Sequence, residues 1–450
     1  MAVGKGRWFI GVGLLIGWLG MGCGSSAPDN REEEPSTRPE SVDPGGSDAG
    51  TTVMEEAAPS TEVDGGIADA GEPGPQEEAD AGTADAGPLP EPEPSDCDAL
   101  PSVVPEAPPE GRLVEHEGYR YLNCGATASD GRGAVVVSWT HYSYNPIDIE
   151  AYGPGGDGWR QTFGSDTFEP YGQANGFLSF SLSNQYSLSY LDSRTWQLTH
   201  YPREPHDLMK SAAAPRGGLR AIFLDGTLKA YGPTGETLWS TPVPLSGPLR
   251  AMGVDARGHT LLVTVGYPED GSEQVPVHGL WVDASGQPGT PFLALAQAPV
   301  PSWDTTYEFV AQAEQGLFLG ITYNGARTWT AFAPLESQTH APPAWLAINA
   351  EQPLLRLPNG KGYIRWSRPL ACQHEAEFLS ASGRSCGKTR FPAMPPDRIG
   401  RCGSMSMGSD GTVIETFPRD QYYWDPEASN PYYCRVRWWP ALFKPWTQPE

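Results

Sequence analysis

The chain has 450 residues, 38% of them hydrophobic, and a formal net charge of −25. An acidic balance of this size disfavours nucleic acid, which needs a basic patch or stripe. The length allows a substantial buried core, and one closed repeat domain is the simplest organisation for it.

The N-terminus carries Lys5 and Arg7, then an apolar run from Trp8 to Leu19, then Gly20-Met21-Gly22-Cys23. A basic start, a short apolar stretch and small residues before a cut site make an export signal. The run is too short for a comfortable membrane span. Small residues directly before a Cys, with Gly24-Ser25-Ser26 after it, resemble the bacterial lipoprotein signal. The family's usual Leu three residues before the Cys is Gly20 here, with Leu19 one further back. The resemblance implies removal of residues 1–22 and a lipidated Cys23 as the mature N-terminus. With Gly24 and no Asp after the Cys, it also implies sorting to the outer membrane.

Residues 23–95 are rich in Glu, Asp, Pro, Gly and Ala and nearly empty of aromatics. Asp-Ala-Gly recurs at 48–50, 69–71, 80–82 and 85–87. From residue 24 on, 19 acidic residues face only Arg31 and Arg38. Such a segment cannot bury enough apolar surface to offset its ordering entropy. It is expected to be a disordered, self-repelling tether.

Residues 96–450 read differently. Lys229-Ala230-Tyr231-Gly232-Pro233-Thr234-Gly235-Glu236-Thr237-Leu238-Trp239 spells strand, tight turn, strand. Gly starts the turn, Pro takes a right-handed φ, and Gly235 supplies the positive φ that closes it. Related turns fall at 151–156, 190–195, 281–286, 331–336 and 378–383. Their spacing of roughly 40 to 50 residues is that of propeller blades. Seven short apolar runs precede or follow them, each opened by a Gly: 133–137, 176–180, 218–223, 258–263, 316–321, 362–366 and 411–414. These β-branched and aromatic runs between breakers read as strands. No window shows a sustained helical period with caps.

The expectation is an all-β fold, a β-propeller of about seven four-stranded blades after the disordered tail. Trp159, Trp196 and Trp239 are expected to pack between blades. The strand character of 119–122 predicts an N-terminal strand that completes the last blade and removes its exposed edge. The turns at 230–239 and 151–159 resemble the Asp-x-x-x-Gly-x-x-x-Trp hairpin of propellers in the quinoprotein and outer-membrane assembly families. That resemblance covers the turn alone and implies architecture, not a cofactor.

With Cys23 assigned to the anchor, six cysteines remain: Cys97, Cys124, Cys372, Cys386, Cys402 and Cys434. An even remainder in an exported chain reads as three disulfides. Proximity along the chain suggests Cys97–Cys124, Cys372–Cys386 and Cys402–Cys434. No Cys-x-x-Cys pair supports a zinc site.

Chemistry-bearing motifs are sparse. Gly383-Arg384-Ser385-Cys386-Gly387-Lys388-Thr389 is one residue short of a phosphate loop and reads as a hairpin. Ser385 and Lys388 match Ser-x-x-Lys without its companion motifs. His374-Glu375 has Phe378 where a second zinc-binding His would stand. Asp225, Asp255 and Asp410 sit beside turns, where backbone capping explains them. Asp148, Asp304 and Glu308 are isolated acids that a propeller glycosidase could use. The densest aromatic stretch holds Tyr422, Tyr423, Trp424, Tyr432 and Tyr433, which could form a platform for sugars or peptides or pack the closing blade.

These features predict a lipid-anchored envelope or surface protein whose propeller binds or scaffolds a protein or glycan partner. Its contact with the membrane is through the anchor. No cofactor, metal or nucleic acid is expected. The alternative is an extracellular glycan hydrolase or lyase working in the propeller funnel.

Overall fold

The computed structural model describes residues 96–447, apart from 99, 110, 119–121, 142–146, 164–167, 182–186, 269–271, 303–304, 313–315, 348–352, 371, 394–401 and 418–431. For residues 114–118, 122–126, 139–141, 163, 168, 181, 347, 417, 432–434 and 446 the backbone alone is described.

The strands fall into seven sheets of four. Strand β1 (Arg112–Gly118) comes first in the chain and belongs to the last sheet. Blade 1 is β2 (Leu122–Ser129), β3 (Val135–His141), β4 (Ile147–Tyr152) and β5 (Gly158–Phe163). Blade 2 is β6 (Phe168–Gln173), β7 (Gly176–Ser181), β8 (Ser187–Asp192) and β9 (Leu198–Arg203). Blade 3 is β10 (Leu208–Ala213), β11 (Leu219–Phe223), β12 (Thr227–Tyr231) and β13 (Thr237–Pro242). Blade 4 is β14 (Leu249–Val254), β15 (Thr260–Val265), β16 (Gln274–Val282) and β17 (Phe292–Pro299). Blade 5 is β18 (Thr306–Ala311), β19 (Leu317–Tyr323), β20 (Ala326–Phe332) and β21 (Thr339–His340). Blade 6 is β22 (Leu354–Arg356), β23 (Gly362–Leu370), β24 (Gln373–Ser380) and β25 (Ser385–Arg390). Blade 7 is β26 (Ser404–Met407), β27 (Val413–Phe417) and β28 (Tyr432–Trp439), with β1 as its fourth strand.

All ladders within the sheets are antiparallel, and first strands of neighbouring blades pack on one another, β2 on β6, β10 on β14, β14 on β18. The fold is therefore a seven-bladed β-propeller with its first strands around the axis. At Gly172 on β6 the approach is so close that a Cβ would meet the Ser129 carbonyl oxygen at 1.8 Å. Only a glycine admits that contact.

The seven Gly-opened runs are the second strands of the seven blades, and the six recurring turns join third to fourth strands. In the Gly232–Glu236 turn, Gly235 N–H donates to the Gly232 carbonyl at 3.0 Å and Gly232 N–H to that of Glu236 at 2.8 Å. Gly235 has φ +96°, and the ladder shifts register between Ala230 and Tyr231. This is a type I turn closed by a glycine bulge. The looser copies have non-glycine residues in that left-handed position, Trp196 at φ 54° and Leu335 at φ 63°.

Seven hydrophobic clusters fill the seven seams between blades. The seam between blades 4 and 5 is apolar throughout its centre, with Leu261, Val263, Leu317, Leu319 and Phe332 buried. The tryptophans expected between blades do bridge them. Trp196 Nε1 donates to Asp157 in the preceding blade's turn at 2.9 Å, and Trp239 Nε1 to the Ala284 carbonyl in the following blade at 3.0 Å. Trp159 packs against the cluster between blades 1 and 2.

An N-terminal strand closes the ring as expected, but it is 112–118 and not 119–122, in register from Arg112↔Trp438 to Gly118↔Tyr432; residues 119–121 lie outside the described residues and Leu122 opens β2 of blade 1. Before it, residues 103–107 run along the outer edge of blade 6. Ala107 N–H donates to the Arg390 carbonyl at 2.8 Å, Arg390 N–H to the Pro105 carbonyl at 3.0 Å, and Thr389 Oγ1 to the Val104 carbonyl at 2.5 Å. This covers an edge that would otherwise offer unpaired backbone groups.

The disulfides correct the expected pairing. Cys97 bonds Cys386, not Cys124, and Cys372 bonds Cys402, so neither Cys372–Cys386 nor Cys402–Cys434 forms. The reason is topological. The leader reaches blade 6 before blade 7, so Cys97 meets β25. Cys372 sits in the β23–β24 turn and meets Cys402, just before β26. The side chains of Cys124 and Cys434 lie outside the described residues. Such bonds belong to chains that fold in an oxidising compartment. Among the described residues no helix is long and apolar enough to cross a membrane.

Candidate functional site: the axial wall

The first strands of blades 2 to 5 place a band of polar side chains on the axial wall. Tyr171 Oη and Ser211 Oγ are 2.8 Å apart, and Ser211 Oγ donates to Glu169 Oε2 at 3.2 Å. Burial raises the Glu169 carboxyl, while its bonds to Tyr171 and Ser211 and the nearby Lys210 ammonium oppose the rise. Burial likewise raises Tyr171 well above an ordinary phenol and lowers Lys210. In each case the low-dielectric surroundings disfavour the charged form.

Further round the wall, Glu308 on β18 pairs with Arg327 Nη1 at 3.0 Å. Burial raises its carboxyl and Arg327 pulls it back. A cavity of about 310 Å³ opens between β10, β14 and β18, lined by Ala212, Met252, Tyr307, Glu308, Phe309 and Leu317 among others. Phe309 roofs Gly253, where a Cβ would meet the ring at 2.6 Å. The wall thus carries Glu169, Lys210, Arg250 and Glu308 on successive first strands, two cations flanked by two acids. Its two acids stand on β6 and β18, three blades apart, each engaged by its own neighbours.

The other singled-out residues do not gather. Asp148 on β4 is held by Arg160 at 3.1 Å and Thr162 at 2.5 Å. Asp304 lies outside the described residues. Asp225 caps its hairpin through Thr227 N–H at 2.9 Å, and Asp255 takes the N–H groups of Arg257 and His259 at 2.9 Å each. Asp410 takes that of Thr412 at 3.0 Å. These are turn-capping bonds. Gly383 lies in the β24–β25 turn, Lys388 on β25 pairs with Glu375 at 2.8 Å, and Cys386 is in a disulfide. Among the described residues no group of three His, Cys, Asp or Glu could hold a metal ion. Tyr422, Tyr423 and Trp424, and the side chains of Tyr432 and Tyr433, lie outside the described residues.

Two buried polar groups were not expected from the sequence, although one includes His374. Between blades 6 and 7, Glu415 on β27 is fully buried and accepts from Arg437 Nε at 2.9 Å. His374 Nε2 stands 3.6 Å from the other Glu415 oxygen, beyond hydrogen-bond distance. Burial, with help from the Arg368 and Arg437 cations, lowers His374 to about 4. Between blades 3 and 4 lies Arg220, 6% exposed.

No family model matches the chain, and no curated protein matches it. Among solved structures it is similar to a streptogramin B lyase at 11% identity, covering 73% of this chain and 97% of that one, with a TM-score of 0.37. It is similar to U3-55K at 11% identity, covering 74% and 100%, TM-score 0.40. It is also similar to the β-propeller domain of the trilobed protease of Pyrococcus furiosus at 6% identity, covering 72% and 96%, TM-score 0.43. No activity is carried over from any of them.

Proposed function

We propose that this chain is a lipid-anchored protein of the bacterial outer membrane or cell surface whose propeller is a binding or scaffold module for a protein or glycan. The anchor is Cys23, and residues 24–95 are the acidic tether that holds the propeller off the membrane. The observation that carries the binding reading is the separation of Glu169 and Glu308 on the axial wall. Glycoside hydrolysis needs two carboxyl groups flanking one bond. Here each acid is matched by its own cation or hydroxyls, an arrangement that presents mixed polar surface to a ligand. Two disulfides at the closing blades support an extracytoplasmic location.

A second reading, a glycan hydrolase or lyase, draws on Glu308, whose raised carboxyl lines the cavity beside Tyr307. One experiment addresses both. The full chain, expressed in a bacterial host, should incorporate labelled fatty acid, and Cys23→Ser should not. It should then capture an envelope protein or glycan as well with Glu308→Gln as without the change. Label retained in Cys23→Ser removes the anchor, and turnover abolished by Glu308→Gln replaces binding with catalysis.

A further inference from the structure

Among the described residues, one cation of the axial wall has no acid to answer it. Glu308 is matched by Arg327 at 3.0 Å. Burial lowers Lys210, and the charge of Glu169 opposes that. Arg250 is left over, with no carboxylate of the described residues within 4.0 Å. Its Nε is buried without a partner, while its outer nitrogens are neither buried nor hydrogen-bonded among the described residues. The side chain as a whole is half-buried.

A bulge aims this residue. The β14–β15 ladder shifts register between Leu249 and Ala251, with Arg250 as the extra residue. Residues two apart on a strand ordinarily share a face. Here Leu249 joins the apolar cluster between blades 3 and 4, and Ala251 the one between blades 4 and 5. The change of face falls on Arg250 and turns it out of both clusters. The same irregularity in blade 3 falls on Met209, which packs against its cluster instead. Lys210 pairs with Ile222 of the cluster between blades 3 and 4, so it faces blade 4 from one side. Tyr307, in the cluster between blades 4 and 5, faces it from the other. Burial raises the Tyr307 hydroxyl and the Arg250 cation opposes the rise, and the same cation adds to the lowering of Lys210. The charge of Arg250 is felt on both sides of blade 4.

Room for a ligand lies beside it. The cavity of about 310 Å³ begins at Ala251, the next residue along, and Tyr307 also lines it. Its space comes from small residues on three neighbouring first strands: Ala212 on β10, Ala251 and Gly253 on β14, and Ala311 on β18. In this lining only Glu308 carries a charge, and Arg327 holds it. Ala213 at its edge is exposed, and Ala212, Glu308 and Phe309 are half-buried, so the cavity is open rather than sealed. Its volume is at the lower end of the range for small-molecule sites, about 300–1,000 Å³. Mostly apolar walls with a few placed polar groups are also the composition of such sites. The space admits one small body and no folded element of a partner.

We propose that this cavity binds a small organic carboxylate, its apolar body among the small side chains and its head group on the outer nitrogens of Arg250 at the rim. A guanidinium takes a carboxylate through charge-assisted hydrogen bonds. Arg250 supplies one unmatched positive charge, which suits a singly charged head. A neutral molecule with the same body would gain the apolar burial alone. The site uses neither the Cys23 anchor nor the protein or glycan partner proposed above, so it stands or falls separately from them.

Titration calorimetry of the full chain tests this with phenylacetate, phenylethanol and phenylethylamine, which share a body and differ in head group. Phenylacetate should bind the wild type about tenfold more tightly than phenylethanol, the scale of a hydrogen bond to a charged group. Phenylethylamine should bind least. Arg250→Gln should weaken phenylacetate about tenfold and leave phenylethanol unchanged, and Arg250→Lys should recover part of that loss. Ala212→Leu, which fills the cavity from a half-buried position, should weaken phenylacetate and phenylethanol together. Equal phenylacetate binding by wild type and Arg250→Gln overturns the site, as does binding of none of the three by the wild type. Preference for the amine assigns the cavity to Glu308 and overturns the ligand class. Tighter binding of a short acetylated peptide ending in phenylalanine than of phenylacetate overturns the small-molecule occupant.

Discussion

The seam between blades 4 and 5 and the seam between blades 6 and 7 do the same job by different means. The first joins blades contiguous in the chain and is filled by Leu261, Val263, Leu319, Ile321 and Phe332. The second also joins contiguous blades, but residues from both ends of the domain, Ala107 and Phe443, pack into it. It has an apolar cluster of its own, with Trp366, Phe378, Phe391 and Trp439, but adds the buried Glu415–Arg437–His374 group and the Cys372–Cys402 bond. The N-terminal leader is also tied to blade 6 through Cys97–Cys386. Blades 4 and 5 form their seam at short loop-closure cost, whereas the leader must find blade 6 and β1 must find β28 from the far end of the domain. Specific polar contacts and covalent links are concentrated where that search ends.

The largest break of this contrast should come from Arg437→Met, which leaves Glu415 buried without its cation. Unfolding in denaturant should show a loss of about 3–5 kcal/mol, as for other buried pairs broken on one side. The double variant Glu415→Leu with Arg437→Met should recover most of it. A double variant as unstable as the single would show that the charge is not the cause. Next, Cys372→Ser with Cys402→Ser removes a link across 30 residues. Loop entropy sets the expected loss at about 3–4 kcal/mol. Reductant should lower the melting temperature of the wild type by more than that of this variant.

The finest distinction is in pH. His374 is held at about 4, below its ordinary 6.5. The unfolded chain therefore binds the proton more readily between those values. The stability that neutral His374 contributes is complete above pH 6.5 and is lost as pH falls towards 4. Relative to His374→Gln, the wild type should lose about 3 kcal/mol over that window, at 1.36 kcal/mol per pH unit. Parallel pH curves for the two proteins would break the assignment. Leu319→Ala in the apolar seam should cost about 2–5 kcal/mol with no comparable pH or reductant dependence.

Much of the fold was legible because its unit is local. A Gly-opened apolar run makes a second strand, and Asp or Gly, then Pro or Ala, then Gly makes the next turn, wherever the copy falls. The looser turns at Trp196 and Leu335 were harder to read because a non-glycine residue holds the left-handed position. Arg220 was also within reach. Aligning the seven second strands puts it in an apolar column, a signal that needed the register of each blade. Glu169, Lys210 and Arg250 were not, because first strands carry no recurring signature and come together only around the axis.

The amino-acid sequence by itself determined the repeat, a count of about seven blades and closure by an N-terminal strand, since each depends on residues a few positions apart. The tertiary structure alone decided which cysteines meet, which charges are buried, and where a cation is left without a carboxylate. Those depend on contacts between residues hundreds of positions apart, as between Cys97 and Cys386, and a ring closed by its own beginning makes chain distance a poor guide to distance in space.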